Sequence, residues 1–67
     1  MERYLFLDWK NLVQEAIKRR QEQRLTQEQL ALLVGISKPT LNRFERGKTN
    51  ITLSSALKIL KYLGLAQ

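Results

Sequence analysis

The segment from Leu25 to Lys48 limits the possible folds of this chain more than any other part of the sequence. Two short stretches within it carry apolar residues at helical spacing, and Gly35 separates them. Thr26 followed by Gln29 fits a capping box, which predicts that a helix begins directly after Thr26. Glycine adopts the left-handed backbone conformation at the lowest cost, so Gly35 is predicted to end that helix. Two helices joined by so short a turn form a helix-turn-helix.

The second helix of this pair is predicted to begin after Ser37, whose hydroxyl suits an N-cap. Pro39 is tolerated because it falls in the first turn, where the backbone N–H has no partner within the helix. Leu41 and Phe44 are spaced to face inward, and Gly47 is predicted to end the helix. The positions left over form an outward face that is polar and basic.

One further helix is predicted on each side of this pair. Asp8 is the predicted N-cap of a helix over about residues 9–23, and Thr52 is the predicted cap of a last helix that Gly64 ends. The inward stripe of the first helix is predicted to contain Leu12, Val13, Ala16, Ile17 and Arg20. The inward stripe of the last helix is predicted to contain Leu53, Ala56, Leu57, Leu60 and Leu63. The sequence therefore predicts an all-α fold, a compact bundle of short helices over residues 9–67, preceded by an extension over residues 1–8.

The composition argues against catalysis and metal binding. The chain has 67 residues and contains neither cysteine nor histidine, so it lacks thiolate ligands and the commonest general base. Its six acidic residues are scattered, and no two of them form a pair that suggests catalytic carboxylates. We therefore expect no enzyme activity, no metal and no cofactor. A domain this small buries a limited core, which favours a homodimer.

The charge indicates an anionic partner. The formal net charge is +6, and after Glu45 there is no acid, whereas Arg46, Lys48, Lys58 and Lys61 all follow it. Double-stranded DNA is the predicted partner, since a helix fits the DNA major groove but cannot enter the deep, narrow groove of an RNA duplex. The sequence contains no run near the ~20 apolar residues of a membrane span, so no membrane contact and a cytoplasmic location are expected.

The outward face of the second helix of the pair is predicted to read DNA. Lysine and arginine donate hydrogen bonds to guanine O6 and N7, and a threonine methyl group fits the methyl group of thymine. The residues predicted to contact base edges are Lys38, Pro39, Thr40 and Arg43. The residues predicted to contact phosphates are Gln27, Asn42, Arg46, Lys48, Thr49 and Asn50. The alternative is a helical pair that only packs; the coincidence of a small residue before the turn, a capped second helix and a basic outer face favours DNA.

A set of spaced residues carries a resemblance to a known family. The set is Arg20, 25–27, 30–31, 34–37, 40–41, 44–48, Leu53, Leu57 and 63–64. In this pattern the chain resembles the Xre family of helix-turn-helix regulators, the group that includes Cro and the phage repressors. The resemblance spans roughly residues 12–65. It implies a lambda-repressor-like bundle of four or five helices, and a dimeric repressor that binds a pseudo-palindromic operator.

The resemblance also implies an ion pair between Arg20 and Glu45. Arg20 lies on the predicted apolar stripe of the first helix, where an unpaired charge would be costly. Residue 24 is often glycine in the family and is Arg24 here, so this arginine must fit the turn that ends the first helix.

Other departures from the family pattern point to a protein-contact surface. Leu32 is predicted to be exposed and Leu33 to lie at the edge of the core, at two positions that are usually polar. In place of the fifth helix of many phage repressors there is an apolar N-terminal segment, which we expect either to fold back or to pair with a second copy. The predicted dimer or partner surface comprises Tyr4, Leu5, Phe6, Leu7, Leu32, Ile59 and Tyr62.

The C-terminal part of the chain allows an alternative function. Residues 49–55, 58–60 and 63–65 are similar to HipB-type antitoxins. That similarity implies a protein that binds its own operator and also neutralises a toxin protein, which would then be a second partner.

Overall fold

The computed structural model describes residues 8–67 and contains four helices joined by short connections. No strand occurs within that range, so the all-α prediction is confirmed there. Tyr4, Leu5, Phe6 and Leu7, which were predicted to form part of a dimer or partner surface, lie outside the described residues. The helices are α1 (Trp9–Glu22), α2 (Gln27–Val34), α3 (Lys38–Glu45) and α4 (Leu53–Tyr62).

All four helices begin at the residues that the sequence predicts. In each case a side-chain oxygen accepts a hydrogen bond from the backbone N–H three residues later, which satisfies one of the unpaired donors at a helix start. The N-caps are Asp8, Thr26, Ser37 and Thr52. At Thr26 the capping box is complete, because the Gln29 side chain also accepts from the Thr26 N–H at 2.9 Å.

The end of α1 adopts a glycine-type turn without glycine. Arg24 has a positive φ of 59°, the only positive φ at a non-glycine position in the described range. The Arg24 N–H donates to Gln21 O at 2.9 Å and the Leu25 N–H donates to Arg20 O at 3.2 Å, which is the Schellman pattern. Gly47 ends α3 in the same way with a φ of 76°. The left-handed conformation costs an L-residue about 1–2 kcal/mol, so the turn at Arg24 carries a strain that Gly47 avoids.

The core lies where all four helices meet. Leu30 of α2, Leu41 and Phe44 of α3, and Ile59 of α4 are fully buried. Trp9, the first residue of α1, packs edge-on against Phe44 with the ring centroids 5.5 Å apart and an interplanar angle of 88°. The start of α1 therefore contacts α3 directly.

The inward stripe of α4 differs from the prediction. Leu53 is 74% exposed and Leu57 is also exposed, although both were predicted to be buried. Ile59 was predicted to lie on a dimer surface and is instead fully buried. Two sets of apolar residues in α4 have the i, i+3, i+4, i+7 spacing of one helix face, one set starting at residue 53 and the other at residue 56. Packing against the other helices selects the second set, which consists of Ala56, Ile59, Leu60 and Leu63.

Candidate nucleic-acid interface

The turn between α2 and α3 fixes how these two helices cross. Gly35 has a φ of 85°, and the N–H groups of Gly35 and Ile36 both donate to Ala31 O, at 2.9 and 3.0 Å. A Cβ atom at Gly35 would meet no atom within 4 Å, so glycine is required there by the backbone conformation rather than by space. Ser37 then caps α3, and the Thr40 N–H donates to its hydroxyl at 3.2 Å.

A bidentate ion pair holds the end of α3 against α1. Arg20 Nε donates to Glu45 Oε2 at 2.7 Å, and Arg20 Nη2 donates to Glu45 Oε1 at 3.1 Å. The two side chains are only 13% and 6% exposed. Arg20 Nη1 also donates to Leu25 O at 2.7 Å, so one guanidinium links α1, the α1–α2 connection and α3. The pair that the family resemblance implies is thus present.

The Glu45 carboxylate also organises two polar residues that were predicted to contact phosphates. Gln27 Nε2 donates to Glu45 Oε1 at 2.8 Å, and Asn42 Nδ2 donates to Gln27 Oε1 at 3.4 Å. These bonds fix the orientation of the Gln27 amide at the first position of α2. Sequence reasoning missed this network, since Gln27 and Glu45 are 18 positions apart and no local pattern joins them.

The four residues predicted to contact base edges all lie in the first two turns of α3. Lys38 and Pro39 are exposed, whereas Thr40 and Arg43 are half-buried. The Thr40 Oγ1 atom lies 2.8 Å from Ser37 Oγ and accepts from Arg43 Nη2 at 3.3 Å. Arg43 Nε is shielded from solvent and has no hydrogen-bond acceptor among residues 8–67. The Arg43 side chain therefore folds back along α3 toward Thr40.

The predicted phosphate contacts that follow α3 are exposed. Gly47 N–H donates to Phe44 O at 3.0 Å and Lys48 N–H donates to Arg43 O at 3.1 Å, so the chain turns sharply at the end of the helix. This turn starts the loop that carries most of the predicted phosphate-binding side chains. The exposed residues are Arg46, Lys48, Thr49 and Asn50.

The charge of this surface is strongly positive. Between the α2–α3 turn and the start of α4 the single acid is Glu45, and both of its oxygens accept hydrogen bonds within the domain. The basic residues of the same stretch are Lys38, Arg43, Arg46 and Lys48. A compact surface of one charge sign raises the local concentration of an anionic ligand.

The residues predicted for a dimer or partner surface have different environments. Leu32 is 83% exposed, as predicted, and Tyr62 is also exposed. Leu33, predicted at the core edge, is more than half exposed. The fully buried Ile59 takes no part in any such surface.

Two classes of feature are absent from the described part of the chain. Residues 8–67 contain no group of three or more acidic, histidine or cysteine side chains that could hold a metal ion. None of the four helices is long and apolar enough to cross a membrane.

Comparison with known proteins places these helices in a family. A helix-turn-helix family model matches residues 17–66, from the middle of α1 to beyond α4. A protein of Haemophilus influenzae, named as an uncharacterized HTH-type transcriptional regulator, is 42% identical over 53 residues. The aligned part covers 79% of this chain and 54% of that protein, so the chain spans about half the length of the curated relative it matches. On the family match, the relative and the geometry of α2 and α3, the chain belongs to the Xre-type helix-turn-helix family.

Proposed function

We propose that this chain is a sequence-specific, double-stranded DNA-binding transcriptional regulator that reads the major groove with α3. The observation that carries the proposal is the basic outward face of α3, which stands on a helix pair fixed by the Gly35 turn and by the Arg20–Glu45 ion pair. The helix-turn-helix relative named as a transcriptional regulator supports it.

Base reading is assigned to the first two turns of α3. Lys38 and Arg43 would donate to guanine O6 and N7, while Thr40 and Pro39 would contact a thymine methyl group or a base edge. In this proposal Arg43 exchanges its 3.3 Å hydrogen bond to Thr40 for a guanine, which also gives an acceptor to its buried Nε.

Phosphate binding is assigned to the two ends of the helix pair. Gln27 stands at the N-terminus of α2, where unpaired N–H groups and the helix dipole favour an anion. Its link to Asn42 would present the two amides to one strand as a unit. The exposed residues Arg46, Lys48, Thr49 and Asn50 would bind the backbone beyond the other end of α3.

The proposed working form is a homodimer that represses transcription. A two-fold symmetric pair would place two α3 helices about 34 Å apart, in successive major grooves of a pseudo-palindromic operator. A dimer on such a site would block access to an overlapping promoter, so repression needs only the DNA contacts and the contact between the two copies.

Selection from genomic DNA tests this function. Purified protein is mixed with a pool of genomic fragments, and the fragments it retains are sequenced. Enrichment of a short inverted repeat that disappears with Arg43→Ala supports the proposal. Uniform retention that weakens steeply with salt, with no enriched site, would mean that the surface only binds phosphate.

An antitoxin role is the second candidate, and the exposure of Leu32 favours it. Leu32 is an 83% exposed leucine on α2 with Leu33 exposed beside it, which suits contact with a protein. The test is co-purification with the product of the adjacent gene. Loss of that complex with Leu32→Gln, while operator binding persists, would support this role. If the wild-type chain forms no such complex, the antitoxin role is wrong.

A further inference from the structure

The outer side of α4 carries apolar and basic residues that line one shallow groove. We call these five residues the α4 face: Leu53, Ser54, Leu57, Lys58 and Lys61. All five are exposed. None of them is assigned to DNA in the proposed function, and none belongs to the exposed leucines of α2. The α4 face is therefore a surface to which the proposed function gives no role.

The apolar part of the α4 face is a pair of leucines one helical turn apart. Leu53 is 74% exposed and Leu57 is 36% exposed. Residues four apart lie on the same side of a helix, so the two leucines are neighbours. Apolar residues scattered singly over a surface are ordinary, whereas adjacent ones form a contiguous patch of the kind found at contact sites. The packing of α4 does not use this pair, because its buried face consists of other residues.

The polar part of the α4 face is basic and lacks a countercharge within the described domain. Neither Lys58 nor Lys61 forms an ion pair with residues 8–67, and no acid follows Glu45 in the sequence. Lys61 lies in the last turn, where a cation complements the helix dipole. Lys58 lies outside that turn, and residues three apart are neighbours on a helix, so the two ammonium groups repel each other. Contacts within the described domain thus give Lys58 no role.

We propose that the α4 face binds an acidic amphipathic helix of a partner protein. Apolar side chains of that helix would cover Leu53 and Leu57, and its carboxylates would pair with Lys58 and Lys61. The helical period places both leucines beside the buried face of α4 and Lys58 further out. The partner helix should therefore present apolar residues three or four positions apart, with a row of aspartate or glutamate beside them. The two unpaired lysines are the observation that specifies the charge of the partner.

A second copy of this chain fits the α4 face less well than an acidic helix. In a two-fold contact the same patch faces itself, so Lys58 and Lys61 would lie next to the same lysines of the other copy. Like charges brought together across an interface are costly. The chain has a net charge of +6, so a second copy brings further positive charge to the contact. The proposed homodimer therefore uses another surface.

DNA has the required charge sign but matches only part of the α4 face. Phosphates would pair with the two lysines and leave Leu53 and Leu57 uncovered, because phosphate contacts are made by cations and hydrogen-bond donors. An acidic amphipathic helix matches both the leucines and the lysines. The binding of such a helix is measured without DNA, so failure of the proposed function would leave the outcome of the peptide test unchanged.

Selection from a phage-displayed library of random peptides tests the α4 face, with the full chain as bait. Two variants of equal net charge are compared with the wild type. One is Lys58→Glu, Lys61→Glu, and the matched control is Lys10→Glu, Lys18→Glu, which changes two exposed lysines of α1. The wild type and the control should select acidic peptides with apolar residues three or four positions apart. A selected peptide should bind the α4 variant about tenfold more weakly than the control, since two attractive charge pairs become repulsive.

The position of the bound peptide is read from backbone amide NMR shifts of the wild-type chain. Shifts are expected along residues 53–61, and the variant Leu53→Ser, Leu57→Ser should lose the selected peptide although its melting curve shows a folded domain. Three results would overturn the proposal: no selected peptide, shifts confined to α2 or α3, or equal binding by the two lysine variants.

The other two occupants have distinct signatures, and either one would also overturn the proposal. Conversion of a wild-type dimer to a monomer by Leu53→Ser, Leu57→Ser, measured by sedimentation, would mean that a second copy covers the α4 face. If the wild type selects no peptide and Lys58→Glu, Lys61→Glu loses more affinity for a scrambled DNA duplex than the α1 control does, the face binds phosphate.

Discussion

α3 and α4 are short helices that pack on the same core, yet their outward faces differ. On α3 the outward side chains are polar, and Thr40, Asn42 and Arg43 already make hydrogen bonds within the domain. On α4 the exposed side chains include Leu53 and Tyr62, which are apolar or aromatic. The difference is that Asn42 of α3 is already held by its hydrogen bond to Gln27 before a polar ligand arrives, which lowers the entropy cost of binding at that position.

The hydrogen bonds to Glu45 explain how a helix of only eight residues keeps a fixed position relative to α1 and α2. Glu45 receives hydrogen bonds from Arg20 of α1 and from Gln27 of α2, so three helices meet at one carboxylate. α4 makes no side-chain hydrogen bond to α2 or α3 among the described residues. It is held by apolar packing and, at its C-cap, by a 2.9 Å hydrogen bond from Arg19 Nη1 to Leu63 O. Mutations on the two helices should therefore act through different physical terms.

The largest effect is expected from removing the Glu45 carboxylate, which accepts the hydrogen bonds that attach α3 to α1 and α2. Glu45→Ala leaves the Arg20 guanidinium buried without its partner, and should lower the free energy of unfolding by about 3–5 kcal/mol. Urea denaturation measures this. Glu15→Ala is the matched control, since Glu15 pairs with Arg19 at 3.3 Å with the two side chains 42% and 38% exposed, and pairs open to solvent contribute at most about 1 kcal/mol. A Glu45→Ala midpoint equal to that of the control would show that the ion pair does not hold α3.

The corresponding substitution on α4 removes a buried apolar side chain. Ile59→Ala opens a cavity at a fully buried position and should cost about 2–5 kcal/mol. Leu57→Ala, two residues earlier on the exposed side, should cost less than about 1 kcal/mol. Thermal unfolding measures the stability lost in each variant, and so compares the buried apolar face of α4 with the exposed one. Equal losses of stability would mean that both sets of apolar residues pack α4 against the domain.

A smaller effect is expected on DNA affinity from a change that spares the core. Arg43→Ala should cost about 1–3 kcal/mol at an enriched site and relax the choice of base at one position. Lys48→Ala should weaken binding to all sequences alike and reduce the salt dependence, because it removes a phosphate contact. Titration of each variant against the selected site and a scrambled site gives the loss of affinity and the change in specificity. An Arg43→Ala variant that weakens the two sites equally would assign this arginine to phosphate.

The smallest effect concerns the backbone at the helix ends. Arg24→Gly relieves a left-handed arginine and should raise the free energy of unfolding by roughly 0.5–1 kcal/mol, after the larger chain entropy of glycine is subtracted. Gly47→Ala should lower it by about 1 kcal/mol, and solely through conformation, since no atom lies within 4 Å of the added Cβ. Destabilisation by Arg24→Gly would show that the Arg24 side chain makes a stabilising contact.

The sequence predicts the helix starts well and the packing of α4 poorly. A start depends on a local signal, and Thr26 with Gln29 is such a signal. The buried face of α4 is not local, because two apolar sets fit the same helical period and only contact with the other helices selects the one that contains Ile59. For the candidate interface, the outward residues of α3 follow from its period and cap. The hydrogen bonds from Gln27 to Glu45 join distant parts of the chain and require the fold.

The most direct test of base reading by α3 is methylation interference on the selected DNA site. Methylation of guanine N7 blocks the atom to which Lys38 and Arg43 are proposed to donate in the major groove. We expect interference at guanines in two half-sites about 34 Å apart, and loss of interference at one guanine of each half-site with Arg43→Ala. Binding that tolerates methylation at every guanine N7 while it still selects the site would contradict major-groove reading by this helix.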